Sequence, residues 1–172
     1  MSIIIPDELV PKAGKNNDRY LNKLEPGETR KVLLLGTPLG AFKWWTKDDN
    51  GKPVPNLVPL DPKQVPDGVE VKMVWLAPGL DLADDRKKIW EIEPKTIQMP
   101  IAAISRDDDF DLEVCPVKVH REGATKDNTR YSVNALPPIV LTPEQEAEAA
   151  TSCDPTALFG GGDPWDTENN PF

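Results

Sequence analysis

Apolar and polar positions along this chain change period every few residues, and the changes mark short strands separated by turns. Thr29 to Leu35 is an apolar run suited to a buried strand, closed by Gly36-Thr37-Pro38, and Phe42 to Thr46 follows as a second strand. Asp48-Asp49-Asn50-Gly51 carries turn chemistry, and the proline-rich stretch 53–66 reads as a long connection with little regular structure. Val69 to Ala77 alternates most clearly, with Val69, Val71, Met73 and Trp75 on one side. Pro78 to Arg86 turns the chain, and Lys87 to Glu93 returns it as a hairpin partner. Glu113 to Arg121 sets Val117 and Val119 inward and Lys118 and His120 outward, with Pro116 at an edge or bulge. Thr129 to Val133 is a short last strand.

Helical spacing occurs twice. Ile97, Ile101 and Ile104 repeat with the period of a helix over 96–105, with Pro100 tolerated only near the first turn. Thr142-Pro143-Glu144-Gln145 supplies an N-cap, a proline at the first helical position and a capping-box glutamine, so a short helix is expected to about Ala150. Glu25-Pro26-Gly27-Glu28 has the form of a type II turn. Beyond 150 periodicity is lost, and Gly160-Gly161-Gly162 reads as a spacer. The expected fold is mainly β: a five-stranded OB-fold-like Greek-key barrel with one internal helix, a short C-terminal helix and a disordered acidic tail. The expected organisation is a flexible arm over 1–18, the OB-fold domain over 19–141, and a short helix with a protein-interaction tail over 142–172.

Composition narrows the chemistry. The 172 residues include 19 prolines and 11 glycines, which favours short elements and many turns. No apolar run approaches the length of a membrane span, and the first residues lack the basic lead of a secretory signal, so a cytoplasmic protein is expected. Cys115 and Cys153 are the only cysteines and His120 the only histidine, which leaves no disulfide framework, zinc cluster or cofactor motif to expect. The acidic run Asp107, Asp108, Asp109 and Asp111 has the residue types of a metal-dependent hydrolase but reads first as an acidic turn, and no enzyme is expected. Net charge is −9, yet seven acids and no lysine or arginine lie from Glu144 onward, so residues 1–143 carry only about −2.

Against that background Gly40-Ala41-Phe42-Lys43-Trp44-Trp45-Thr46-Lys47 stands out. Strand alternation puts Phe42, Trp44 and Thr46 on one face and Lys43, Trp45 and Lys47 on the other. An indole between two ammonium groups suits single-stranded nucleic acid, whose bases stack and whose phosphates attract cations. With Phe42 and Trp44 inward, Trp45 becomes the base platform. The candidate groove comprises Arg30, Lys31, Lys43, Trp45, Lys47, Lys72, Lys118, Arg121, Lys126, Arg130 and Tyr131. Trp75 and Trp90 are assigned to the core, and Tyr20 either stacks on a base or covers the barrel mouth.

Motifs along the body are Tyr20-Leu-x-x-Leu-x-x-Gly27-Glu28-x-Arg30, Trp44-Trp45-Thr46, Ile89-Trp90-Glu91-Ile92, Arg121-Glu-Gly123 and Thr129-Arg130-Tyr131-Ser132-Val133. Together they resemble the single-stranded-DNA-binding proteins of tailed bacteriophages. The tip, Asp163-Pro164-Trp165-Asp166 with terminal Pro171-Phe172, is similar to the acidic tail ending in Pro-Phe of bacterial single-stranded-DNA-binding proteins, although Asn169-Asn170 stand where that tail has acids. The resemblance implies a non-enzymatic OB-fold that coats single strands during replication, recombination and repair in a host cytoplasm. It also implies that replication or recombination proteins are recruited through Asp163, Trp165, Asp166, Glu168, Pro171 and Phe172. The cysteine pairs with which some phage relatives bind zinc are missing here, so no metal is expected. A different reading of the same residues is an adaptor whose barrel binds protein and whose acidic tail mimics DNA.

Overall fold

The structure is a computed structural model that describes residues 19–21 and 23–166. In chain order the strands are β1 (Tyr20–Leu21), β2 (Thr29–Leu34), β3 (Leu39–Lys47), β4 (Pro53–Pro59), β5 (Lys72–Asp81), β6 (Arg86–Ile92), β7 (Val117–Glu122) and β8 (Arg130–Ala135). Helix α1 (Lys95–Ser105) lies between β6 and β7, and α2 (Pro143–Ala149) follows β8. All eight strands belong to one mixed sheet, ordered β1-β6-β5-β2-β7-β8, with β3 and β4 branching from β5. The fold is mainly β, as the periodicities require, but the sheet has more strands than expected and does not close into a barrel among the described residues.

β2 and β3 run one after the other along the same edge of β5. Val32 to Leu34 face Asp81 to Gly79, and Leu39 to Lys43 face Leu76 to Lys72. The break between them falls opposite Pro78, whose carbonyl accepts from Leu35 N at 2.9 Å. A proline can sit in this central strand because its missing N–H points at the break rather than at a ladder partner. β5 therefore continues to Asp81 where a turn was expected from Pro78, and only residues 82–85 reverse the chain.

The stretch expected as a loop also becomes a strand. β4 pairs with β3 from Pro53 opposite Lys47 to Pro59 opposite Ala41. Its prolines stand at 53, 55 and 59, all of one parity, so their nitrogens face away from β3. On an edge strand they cost no hydrogen bond and block further strand addition.

Parity also sorts the two faces of the sheet. Val32 and Leu34 of β2, Trp90 and Ile92 of β6, and Val117 and Val119 of β7 point inward onto one core, closed by Ile97 and Ile101 of α1. Trp75 packs against this core from β5, while Met73 is exposed. The opposite, outer face of the same strands carries Ala41, Val74, Leu76 and Ile89, all buried. β5 is thus covered on both sides, and its apparent one-sided alternation was incomplete. The buried Gln98 side chain of α1 ties the helix to the sheet by donating to Ile92 O at 2.8 Å and Met73 O at 3.1 Å.

Residues 151–166, expected to be disordered, cover that outer face. A 3-10 turn (Pro155–Gly160) begins at Asp154, whose carboxylate accepts from Thr156 N, and Asp154 N bonds to Pro164 O at 2.8 Å. Cys153, Leu158, Phe159 and Trp165 pack with Tyr20 over Ala41, Val74, Leu76 and Ile89. α2 forms with the expected capping box between Thr142 and Gln145 and docks through Glu148. That carboxylate accepts from Arg19, from Arg86 Nε at 3.3 Å and from Lys87 N at 3.0 Å. Among the described residues no helix is long and apolar enough to cross a membrane.

Candidate nucleic-acid interface

β3 grades from buried to exposed along its outer parity. Ala41 is buried beneath the C-terminal segment, Lys43 is half-buried, Trp45 is 56% exposed and Lys47 is exposed. On the inner parity Trp44 keeps only 7% of its surface. The adjacent tryptophans therefore take opposite roles, as the alternation requires. Lys43 Nζ lies 5.0 Å from the centroid of the Trp45 ring and 2.6 Å from Glu91 Oε1. The ring, its cation and a carboxylate thus form one fixed group, in which the cation–π contact contributes roughly 0.5–1 kcal/mol. Beside it opens a cleft of about 480 Å³ lined in part by Tyr20, Leu57, Leu158 and Phe159.

Register brings most of the candidate cations onto this same outer face. Lys43 stands opposite Lys72, and Lys31 opposite Lys118, with Arg130 sharing the parity through Glu122. Lys72 is exposed and bonds Glu93 Oε1 at 2.9 Å, an interaction that holds its pKa above the ordinary lysine value. Lys126 lies in the β7–β8 turn, where Gly123 takes a positive φ and a Cβ would strike the Asn128 carbonyl.

Three candidates do not belong to that face. Arg30 and Arg121 share the parity of the core valines and retain 8% and 7% of their surface. Arg30 pairs with Glu28 Oε1 at 3.2 Å. Arg121 Nη1 donates to Leu24 O and Nη2 to Thr129 Oγ1 at 3.4 Å, so this guanidinium ties two loops together. Tyr131 lies opposite Arg121 and packs against the inner core. These are corrections: both arginines hold the fold rather than line a groove, and the half-buried Tyr131 leans on the inner core instead of the outer face. The signal was present in the sequence, since Arg30 alternates with Val32, Arg121 with Val119 and Tyr131 with Val133.

The tail candidates divide as well. Asp163 and Asp166 are exposed, and Asp163 Oδ1 accepts from Trp165 N at 2.9 Å. Trp165, expected as a free docking residue, is packed on the sheet with the Arg19 guanidinium 5.1 Å from its ring centroid. Glu168, Pro171 and Phe172 lie outside the described residues.

Other polar groups have local work. The acidic turn uses Asp107 and Asp111 to accept from the backbone N–H groups of Asp109 and Glu113, and among the described residues no cluster of three His, Cys, Asp or Glu is placed to hold a metal ion. Glu91 and Tyr20 are the site residues that sequence reasoning left out or undecided. Glu91 shares the outer parity of β6 with the buried Ile89, and only the pairing of β3, β5 and β6 brings it to Lys43.

The class these features define is a mainly β domain with an open mixed sheet, whose outer face presents one exposed tryptophan among lysines. The centre of that face is covered by the domain's own C-terminal segment. No family model, curated protein or solved structure matches the chain.

Proposed function

We propose that the protein binds single-stranded DNA without reading its sequence, coating strands during replication, recombination and repair in the manner of the phage proteins it resembles. In this reading the sheet is an OB-type binding surface, opened rather than closed. The observation that carries it is Trp45: an indole left mostly in solvent at the exposed end of β3, with Lys43 against its face and Lys47 beyond. A solvent-facing ring flanked by cations is suited to stack a base. Strand-borne lysines of the same parity provide the phosphate contacts. The acids that follow α2, together with the last six residues, recruit partner proteins of the replication or recombination machinery.

The test is a titration of full-length protein with oligo-dT, followed by tryptophan fluorescence at several salt concentrations. Quenching that weakens with salt and a clear preference for single strand over duplex are expected. A form trimmed from Thr167 loses one competing acid, Glu168, and should bind the strand at least as tightly. Trimming from Thr151 instead strips the cover from Ala41, Val74, Leu76 and Ile89 and should give an aggregation-prone protein. Equal affinity for duplex and single strand refutes the proposal. Loss of all nucleic-acid binding in the Thr167-trimmed form favours the protein adaptor with a DNA-mimicking tail.

A further inference from the structure

The outer face carries a second cationic patch, away from Trp45. Three neighbouring strands, β2, β7 and β8, set Thr29 opposite His120 opposite Ser132, and Lys31 opposite Lys118 opposite Asn134. None of these six residues is acidic, and none is a tryptophan, tyrosine or phenylalanine. Two lysines directly opposite one another in a sheet repel and weaken it. At the Trp45 end Lys43 and Lys72 are each held by a glutamate. Among the described residues, neither Lys31 nor Lys118 has a carboxylate within ion-pair distance. The His120 ring is fixed beside them by a 2.7 Å hydrogen bond between its Nδ1 and Thr29 Oγ1. Such a surface offers charge and hydrogen bonds around one small ring that is already tied to Thr29, which suits a phosphodiester backbone better than bases.

Geometry separates this patch from the platform. Val32 meets Asp81 and Lys43 meets Lys72, nine residues apart along β5, which is roughly 30 Å at the rise of a strand. Between them the C-terminal segment lies on Val74, Leu76 and Ile89. We infer that a bound strand is held at two points: its bases at Trp45, and its phosphates, further along, at the Lys31–Lys118 patch. This inference rests on the single-strand-binding reading and adds to it a second contact that only a longer strand can reach.

The experiment compares the full-length protein with a Lys31→Ala/Lys118→Ala variant on oligo-dT of about five and about thirty nucleotides, one near the low end of the site sizes of such folds and one well above them. On the long strand, losing two phosphate contacts should lower the salt slope by about 1.4 and weaken binding roughly 25-fold at 0.1 M salt. On the short strand, affinity and tryptophan quenching should be unchanged. The variant's melting temperature should equal or slightly exceed the parent's, because a like-charge pair has been removed. If the double variant fails to fold, a Lys118→Gln single variant carries the same comparison at about half the slope change.

Equal losses on both strands would show that the lysines belong to the Trp45 site and overturn the two-point arrangement. No loss on either strand leaves the patch without a phosphate role and overturns it too. A parent dimer that the variant loses assigns the patch to a second copy of the chain instead. If the parent binds neither length, the single-strand-binding reading falls first and takes the patch with it.

Discussion

Trp44 and Trp45 are the same residue type one position apart, and removing them should have opposite consequences. Burial of a whole indole removes up to about 200 Å² from water. Trp44, with 7% exposed, therefore owes about 4–5 kcal/mol to burial, and a cavity would add to the loss in Trp44→Ala. Trp45, with 56% exposed, owes at most about 2 kcal/mol by the same measure, part of it to the flexible stem of Lys43. Against a stability of roughly 5–15 kcal/mol for a domain, Trp44→Ala should be largely unfolded or close to it, and Trp45→Ala should be folded.

For binding the order reverses. Stacking one base on an aromatic ring contributes about 1–3 kcal/mol, so Trp45→Ala should weaken oligo-dT binding roughly 5- to 150-fold, and Trp45→Phe should recover most of that. Fluorescence anisotropy of a labelled oligonucleotide is the suitable assay, since the variant lacks the tryptophan whose quenching would report binding. Urea titration of each variant measures the stability half of the comparison. Binding by Trp45→Ala within twofold of the parent, at matched salt, would falsify the platform assignment. An unfolded Trp45→Ala would show instead that the ring is structural.

Two further outcomes follow from the C-terminal attachment. Burial acts to raise the pKa of Glu148, but the Lys87 N–H together with Arg19 and Arg86 overcomes it and holds the carboxyl below its ordinary value. A folded pKa below the unfolded one stabilises docking above about pH 4.3 and is lost as pH falls through the folded value. Glu148→Gln should accordingly cost about 1 kcal/mol at pH 7 and abolish the acid dependence of α2 docking, read by Trp165 fluorescence against pH. Cys153 supplies the second outcome, because burial pushes its thiol up to about 11. At pH 8 it should react with a thiol reagent roughly 100-fold more slowly than an ordinary cysteine. Trp165→Ala, by loosening the segment, should restore the rate, while the buried Cys115 stays silent. Fast labelling of Cys153 in the parent protein would contradict a docked segment.

Local signals identified the elements that depend on local signals. The capping box at Thr142 and Gln145, the isoleucine period of α1 and the Pro26-Gly27 turn, with Gly27 at positive φ, all form where their chemistry sits in the chain. β4 was hidden because proline argues against a strand only when its nitrogen faces a partner, and which way a nitrogen faces is a matter of pairing. The candidate site was legible to the same depth. Alternation separated Trp45 from Trp44 and put Lys43 and Lys118 outward. The same rule, applied to Arg30, Arg121 and Tyr131, would have removed them, since each alternates in phase with a core valine.

The acidic C-terminus shows why composition could not distinguish a solvated tail from a docked one. Acids of the C-terminus have specific work: Glu148 gathers Arg19 and Arg86, Asp154 caps a 3-10 turn and Asp163 caps the backbone at Trp165. The apolar residues they position, at 153, 158, 159 and 165, follow no period because each buries one side chain from an irregular segment. Evidence for a cover lay instead in the sheet. Val74-Trp75-Leu76-Ala77 is apolar at both parities, which marks a strand buried on two faces. One core and one helix account for only one of those faces. The other has to be covered by something outside the sheet, and here the chain itself supplies the cover, two outward positions along β3 from the tryptophan left bare.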